Sequence, residues 1–261
     1  MNIRTAWRHF TIGTNGIAPV VAIVLYLQGH GWWALAAVMI AHALWLVPTL
    51  WPQCDWCGEV LSKLPTDRKD VWLTIDDGPD AEDTPQLLDL LDQHQAQATF
   101  FFIGAKAMQH PELVAEVWRR GHQVGNHTMT HPQYRFWFYG PGAVHREIES
   151  CQQVLTEAGK SRAPAWFRAP AGFKNPFVSA RVEKLGLDLA CWSVRGRDGV
   201  DSNKQRVLER LKKGIKPGAI ILMHEGRLDE QGQRLAPQVL SELLQWLADN
   251  GYRCVLPESN R

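Results

Sequence analysis

From Phe10 to Cys54, a run of 45 residues contains no Asp, Glu, Lys or Arg, and such a run restricts the folds open to the chain. A helix needs about 20 apolar residues to cross a hydrocarbon core, so the run has room for two crossings. We predict one transmembrane helix over residues 12–27 and a second over residues 32–50, joined by a short turn. Residues 1–54 are therefore expected to form a membrane hairpin.

A cleavable signal peptide is the alternative interpretation of this region. Residues 41–43, Ala-His-Ala, provide the small-residue pattern of a cleavage site, and Gly13, Asn15 and Pro19 lower the helix propensity of the first segment. However, the apolar sequence continues through residues 44–47, whereas the apolar core of a signal peptide is only about 7 to 15 residues long. The sequence therefore favours a retained hairpin.

The charges that flank the hairpin predict where the rest of the chain lies. Arg4 and Arg8 precede the first segment, and Lys63, Arg68 and Lys69 follow the second. Because positively charged flanks stay in the cytoplasm, two crossings predict a multi-pass protein of the inner (cytoplasmic) membrane with a cytoplasmic C-terminal domain. A single crossing would place that domain in the periplasm. Five cysteines, an odd number, argue against a disulfide framework.

A linker is predicted at residues 55–67, and one catalytic domain at residues 68–261, where apolar strand segments alternate with helical patterns. This alternation predicts an α/β fold of parallel strands joined by helices. About seven strands, fewer than the eight of a closed barrel, indicate a distorted, incomplete (β/α) barrel. The predicted strands cover residues 71–75, 98–103, 123–125, 165–168, 187–194, 219–223 and 252–255. A net charge of +1 gives no reason to expect nucleic-acid binding.

Two adjacent carboxylates, Asp76 and Asp77, follow the first of these strands in the sequence Thr-Ile-Asp-Asp-Gly-Pro at residues 74–79. The Gly-Pro pair ends the strand in a turn, and ligands of α/β folds bind at the carboxyl ends of strands. An ordinary Asp-rich turn is the alternative interpretation. The pair is therefore a candidate for the opening of a hydrolase site.

His127 and His131 lie four residues apart, so that one loop or helical turn can direct both imidazoles at a single ion. Together with Asp77 they would make a two-His, one-carboxylate site, which leaves positions open for water and substrate as a catalytic metal requires. A histidine pair alone is more often a surface or core feature. Its position downstream of the Asp pair favours a divalent metal site, and Zn²⁺ suits these ligands.

With both motifs present, residues 68–256 resemble the polysaccharide deacetylases of the NodB-homology group, carbohydrate esterase family 4. Five family motifs occur in order, at residues 74–79, 127–131, 167–172, 192–198 and 221–224. The resemblance implies a metal-dependent hydrolase that removes an N-acyl group, with N-acetyl the expected one, from an amino sugar. It also implies the incomplete barrel that the strand count predicts.

The resemblance implies a catalytic role for four further side chains. Asp76 would be the general base, oriented by Arg168, and His224 would be the general acid, oriented by Asp198. This division suits amide hydrolysis, because an amine leaving group must be protonated before it departs and the pKa of a histidine lies near neutrality. A core histidine at a strand end is the alternative interpretation of His224.

Three residues are expected to contact substrate by the same resemblance, namely Ala171, Trp192 and Leu222, and the main-chain N–H of Ala171 would stabilise the oxyanion. Two positions depart from the family pattern. Ala171 stands where the family has an aromatic residue, and Asp198 is followed by Gly199 rather than by Trp. The catalytic machinery is therefore intact, whereas the walls that select the substrate are altered, and a plain chitin-like substrate is not expected.

An aromatic run at residues 134–139, Tyr-Arg-Phe-Trp-Phe-Tyr, follows the second metal histidine. Core packing is one interpretation. On a membrane-tethered domain such a run would also suit the lipid interface, where Trp and Tyr are favoured. We therefore expect an amino sugar carried by a membrane lipid. The alternatives are a periplasmic deacetylase of peptidoglycan or exopolysaccharide, and a catalytically silent membrane scaffold, which the intact motifs argue against.

Overall fold

A computed structural model describes residues 3–259. Its first two helices are α1, Ile3–Leu27, and α2, Gly31–Leu50, and both are long and apolar enough to cross a membrane. They pack against each other, and Nδ2 of Asn15 in α1 donates a hydrogen bond to the carbonyl oxygen of Ala41 in α2 at 2.8 Å. Most of their apolar surface faces outward, with 6% and 22% of the two candidate spans buried. The predicted pair of apolar helices is confirmed, although α1 begins nine residues earlier than residue 12, its predicted start.

The rest of the chain folds into one parallel sheet covered by helices. The strands are β1 Val60–Leu61, β2 Asp70–Gly78, β3 Ala98–Phe102, β4 Gln123–Asn126, β5 Trp166–Phe167, β6 Asp188–Ala190, β7 Val194–Arg195, β8 Ile220–His224 and β9 Arg253–Cys254. The helices are α3 Asp83–Gln93, α4 Gly104–Gln109, α5 Pro111–Arg119, α6 Pro141–Ala158, α7 Pro176–Lys184, α8 Lys204–Gly214 and α9 Leu235–Asp249. Short 3₁₀ turns lie at Phe136–Phe138 and Pro170–Gly172.

Within the described residues the spatial order of the strands is β1-β6-β5-β4-β3-β2-β8-β7, and β9 pairs with β2. Every strand pair is parallel. The sheet curls, but within the described residues no ladder of hydrogen bonds joins its end strands β1 and β7, so the barrel stays open. The predicted α/β fold with an incomplete barrel is therefore confirmed.

Two features of the sheet differ from the sequence prediction. The segment predicted as one strand at residues 187–194 forms β6 and β7, because the chain crosses between them from one side of the open barrel to the other. The Cys191 N–H donates to the carbonyl of Leu61 next to β6, whereas the Ser193 N–H donates to that of Ile220 in β8. Strand β1 was missed, since two residues inside the predicted linker carry no periodic signal.

Strand β2 lies inside the sheet, between β3 and β8, and explains the position of the candidate site. Its apolar residues Val71, Trp72, Leu73 and Ile75 are fully buried, as expected for a parallel strand covered on both faces. The register places Asp76 beside Phe101 of β3 on one side and beside His224 of β8 on the other. Residues from distant parts of the sequence therefore meet at the carboxyl end of β2.

Candidate active site

Asp77, His127 and His131 come together at the ends of β2 and β4, with their ligand atoms within 4.8 Å of one another. Oδ1 of Asp77 lies 3.5 Å from Nε2 of His127 and 3.2 Å from Nε2 of His131. This buried oxygen has no hydrogen-bond partner among residues 3–259. Since a buried carboxylate oxygen needs a partner, and since one carboxylate with two imidazoles suits Zn²⁺, these residues fit a divalent cation.

The protonation states of these groups also suit metal binding. Nδ1 of His127 lies 2.8 Å from the carbonyl oxygen of Arg168, so it carries the proton and leaves the lone pair of Nε2 facing Asp77. Burial lowers the pKa of His131 to about 4, which keeps its ring neutral near pH 7. Burial raises the pKa of Asp77, but its contact with His127 and the positive charge of His224 outweigh this effect and hold the pKa well below its usual range.

The loop that carries both histidines has an unusual backbone. On this loop Thr128 and His131 adopt φ values of 67° and 51°, in the left-handed region that non-glycine residues seldom occupy, and Asp77 in β2 also lies in this region with a φ of 73°. The side chain of Asn126 holds this loop, since its Oδ1 accepts the Thr128 N–H at 3.0 Å and its Nδ2 donates to the carbonyl of Ile148 at 2.8 Å. Such strain persists where the surroundings enforce it, and it is concentrated at functional sites.

Asp76 is fixed by a buried arginine. Oδ1 of Asp76 accepts a hydrogen bond from Nη1 of Arg168 at 2.7 Å, and the side chains are 3% and 0% exposed. Arg168 also donates to Oγ1 of Thr74 at 2.8 Å and to the carbonyl of Cys191 at 3.0 Å. Oδ2 of Asp76 lies 3.7 Å from Nε2 of His127, at the edge of the candidate metal site. This carboxylate is therefore oriented for a proton transfer at that site.

His224 approaches the same point from β8 and is paired with Asp198. Its Nδ1 lies 3.1 Å from Oδ1 of Asp198, and its main-chain N–H donates to Oδ2 at 2.6 Å. Burial lowers the pKa of His224, but the charge and hydrogen bond of Asp198, followed by the charges of Asp76 and Asp77, raise it overall to about 9. The imidazole is therefore protonated at neutral pH and can donate a proton.

Comparison with known proteins agrees with this geometry. The polysaccharide deacetylase family profile matches residues 63–190. A chitooligosaccharide deacetylase of Bradyrhizobium sp. (strain ANU 289) is 39% identical over 158 residues, which cover 60% of this chain and 71% of the relative. A peptidoglycan-N-acetylglucosamine deacetylase of Bacillus cereus is 34% identical over 206 residues, which cover 76% of this chain and 91% of the relative.

The chain belongs to the polysaccharide deacetylase family. Among solved structures, a family 4 carbohydrate esterase from Streptomyces lividans in complex with acetate is similar with a TM-score of 0.65 and 29% identity, covering 74% of this chain and 95% of that chain. The protein is therefore a carbohydrate N-deacetylase, which hydrolyses the C–N bond of an amide.

The predicted substrate-contacting residues of the deacetylase lie close to one another. Trp192 and Leu222 pack together with Cys191 and are 8% and 3% exposed. Ala171 adopts a φ of 53° and precedes Gly172, where a Cβ atom would lie 2.7 Å from Cη2 of Trp192. The structure therefore brings Gly172, the residue after Ala171, close to Trp192, and Leu222 packs in the same cluster as Trp192.

The second departure from the family pattern lies beside the candidate acid. A Cβ atom built on Gly199 would lie 3.4 Å from Cε1 of His224. Because Gly199 has no side chain, it leaves the neighbouring side of the His224 imidazole uncovered. Together with Ala171, Gly199 alters the surroundings of the deacetylase site without changing the metal or base positions.

Sequence reasoning missed two ionisable residues behind the site. Nζ of Lys106 donates to the carbonyl oxygen of Asp77 at 2.6 Å, which supports the strained turn. Glu225 is 2% exposed, and its Oε2 accepts a hydrogen bond from Oγ1 of Thr84 at 2.5 Å. Glu225 directly follows His224 at a strand end, and this position could have identified it; Lys106 lies in α4 and carries no comparable signal.

Proposed function

We propose that the protein is a metal-dependent N-deacetylase of an amino sugar carried by a membrane lipid. The main support for this proposal is structural. Asp76, the Asp77-His127-His131 cluster and His224 lie together at the carboxyl ends of neighbouring strands. A base, a metal-ligand set and an acid at one point are what the hydrolysis of an unreactive amide requires.

The roles of the residues follow from their contacts. A divalent cation held by Asp77, His127 and His131 would polarise the amide carbonyl and acidify water. Asp76, held in place by its hydrogen bond from Arg168, accepts the proton of the attacking water. The main-chain N–H of Ala171 stabilises the oxyanion that forms, and protonated His224 donates a proton to the nitrogen as the C–N bond breaks. The products are acetate and a free amine.

The distribution of aromatic residues on the hairpin supports two membrane crossings. Trp7 and Trp56 stack at the end nearest the catalytic domain, while Tyr26, Trp32 and Trp33 are exposed at the far end. Trp7 and Tyr26 lie about 28 Å apart along α1, which approaches the roughly 30 Å of a hydrocarbon core. Aromatic residues at both ends of a span are typical of a helix anchored at two interfaces.

Contacts at the base of the hairpin, together with the positive charges that flank it, support a cytoplasmic catalytic domain. Arg4 pairs with Asp55 at 3.0 Å, and the largely buried Arg8 pairs with Glu183 of α7 at 2.7 Å. The start of α1 therefore lies on the same side of the hairpin as the deacetylase domain, as two crossings require. A green fluorescent protein fused to the C-terminus should fluoresce, whereas alkaline phosphatase fused there should be inactive; the reverse pattern would contradict this topology.

The aromatic run supports a substrate at the membrane surface. Phe136 is fully buried and packs in the core, but Tyr134 and Phe138 are 64% and 69% exposed. Nδ2 of Asn175 donates to the carbonyl of Trp137, which ties the run to the start of α7. Helix α7 also contacts both hairpin helices, so the exposed rings lie on the part of the domain that adjoins the hairpin.

A second candidate function is the deacetylation of peptidoglycan, which the similarity to the Bacillus cereus relative favours. Detergent-purified protein with Zn²⁺ restored should release acetate and free amine from N-acetylated amino sugars linked to a polyprenyl phosphate carrier more rapidly than from soluble oligosaccharides or peptidoglycan fragments. Faster release from peptidoglycan fragments would favour the second function. Absence of release from all of these substrates would contradict both.

A further inference from the structure

The second membrane helix ends against the loop that carries Ala171. Nζ of Lys174, on this loop, donates hydrogen bonds to the carbonyl oxygens of Trp51 at 3.2 Å and Pro52 at 2.7 Å. The main-chain N–H of Lys174 donates to the carbonyl of Thr49 at 3.2 Å. The last carbonyls of a helix lack partners within the helix and favour a cation. Lys174 therefore caps the C-terminal end of α2.

This lysine is buried to an unusual degree. It is 3% exposed, and within residues 3–259 its ammonium group forms no ion pair with a carboxylate. An ammonium group without such a partner is costly to bury, so its burial depends on the carbonyls of Trp51 and Pro52 in the turn after α2. Burial accordingly lowers the pKa of Lys174. The contact between the hairpin and this loop therefore requires both a positively charged side chain at residue 174 and carbonyl oxygens placed to accept its hydrogen bonds.

Two further contacts join the turn after α2 to the site. Gly172 has a φ of 72°, and a Cβ atom there would lie 2.7 Å from Cβ of Pro52, so only glycine fits this approach. Nε2 of Gln53 donates to the carbonyl oxygen of Trp192 at 2.9 Å. Residues 51–53 thus contact both the Ala171 loop and the segment that carries Trp192.

We propose that residues 51–53 form a wall of the active site, and that Lys174 is a positioning residue which holds the N–H of Ala171 in place through them. This inference rests on the proposed deacetylase function. Ala171 has a left-handed backbone that its neighbours must maintain. The membrane hairpin is then part of the catalytic unit, and it sets the rate of the chemical step as well as the location of the enzyme.

The test uses the full-length protein in detergent and a soluble N-acetylated amino sugar, so that partition into lipid has no effect on the rate. Lys174→Met should lower kcat about tenfold with unchanged KM and bound zinc, because an interaction that acts in the transition state is lost. Lys184→Met, at an exposed lysine of α7, is the matched control and should keep the wild-type kcat. Gln53→Ala removes the hydrogen bond that the hairpin side donates to the carbonyl of Trp192. This substitution should also lower kcat without unfolding the protein.

Hydrogen–deuterium exchange of residues 169–173 gives a readout that does not depend on activity. Exchange should be faster in Lys174→Met and Gln53→Ala than in the wild type and the Lys184→Met control. Unchanged exchange, or a lowered melting temperature with wild-type kcat for the folded fraction, would overturn the inference. An inactive wild-type enzyme would instead count against the proposed function, and the exchange data would still decide the role of Lys174.

Discussion

Asp198 binds His224 at two points, accepting its main-chain N–H through Oδ2 at 2.6 Å and lying 3.1 Å from its Nδ1 through Oδ1. One carboxylate therefore fixes both the backbone and the ring of the candidate general acid. Because the carboxylate is 3% exposed, its charge acts on the imidazole with little screening by solvent. This pairing explains why His224 stays protonated despite its burial.

The pH dependence of the reaction should reflect this pairing. His224 acts in its protonated form, and its pKa is raised to about 9, so kcat/KM should decrease as the pH rises through about 9. Asp198→Asn removes the charge and should move this alkaline limb toward about 6.5, the ordinary histidine value. A pH–rate profile of both proteins measures the shift. An alkaline limb at the same pH in both would show that His224 is not the acid.

Metal binding should depend on His131. His131→Ala removes one of three ligands and should lower the zinc content per chain, measured by elemental analysis. It should also lower the activity by more than the roughly 10- to 100-fold that is lost with an outer-shell partner of a ligand. His145→Ala is the control, since His145 is half exposed and pairs with Glu149 on α6. Chelation should inactivate the wild type and added Zn²⁺ should restore it. Full activity after complete removal of metal would contradict the assignment.

The half-buried Trp137 and the exposed Phe138 should affect lipid-linked substrates selectively. Trp137 stacks on Phe138 with ring centroids 3.5 Å apart, next to the start of α7. Replacing both with Ser should raise KM for a lipid-linked amino sugar about tenfold, because the rings no longer enter the interface, and should leave a soluble analogue little affected. Initial rates on both substrates measure the difference. Equal losses on the two substrates would contradict a role at the lipid surface.

The buried carboxyl group of Glu225 should make stability depend on pH. Burial raises its pKa from 4.5 to about 8, so the folded protein keeps a proton that the unfolded chain loses. Stability from this group is complete below pH 4.5 and is lost as the pH rises through about 8. Glu225→Gln is neutral at every pH, so its melting temperature relative to wild type should increase from about pH 5 to pH 8.5.

Two observations would check this effect. Glu209→Gln, at an exposed position of α8, should keep a constant difference in melting temperature from wild type over the same range. A constant difference for Glu225→Gln as well would show that Glu225 is ionised in the folded protein.

Much of the fold could be predicted because its central strands are continuous apolar runs with polar residues at their ends. Strand β2, with Asp76 and Asp77 after its apolar residues, is an example, and the sheet register then brings His224 beside it. Strand β1 lies inside the predicted linker, and β7 follows β6 after only three residues, so the sequence could not separate these two short strands from their surroundings. The contact of Lys174 with Pro52 joins residues 122 positions apart and depends on tertiary packing, so no local pattern could indicate it.

The most direct test of the proposed deacetylation is the rate at which Asp76→Asn releases acetate and amine from a lipid-linked N-acetylated amino sugar. The substitution keeps the shape of the side chain and removes the proton acceptor, so kcat should fall by about 10²- to 10⁴-fold. Asp76 is not one of the three proposed ligands, so the bound zinc should equal that of the wild type. A kcat near the wild-type value in the zinc-loaded variant would contradict the assignment of Asp76 as the general base.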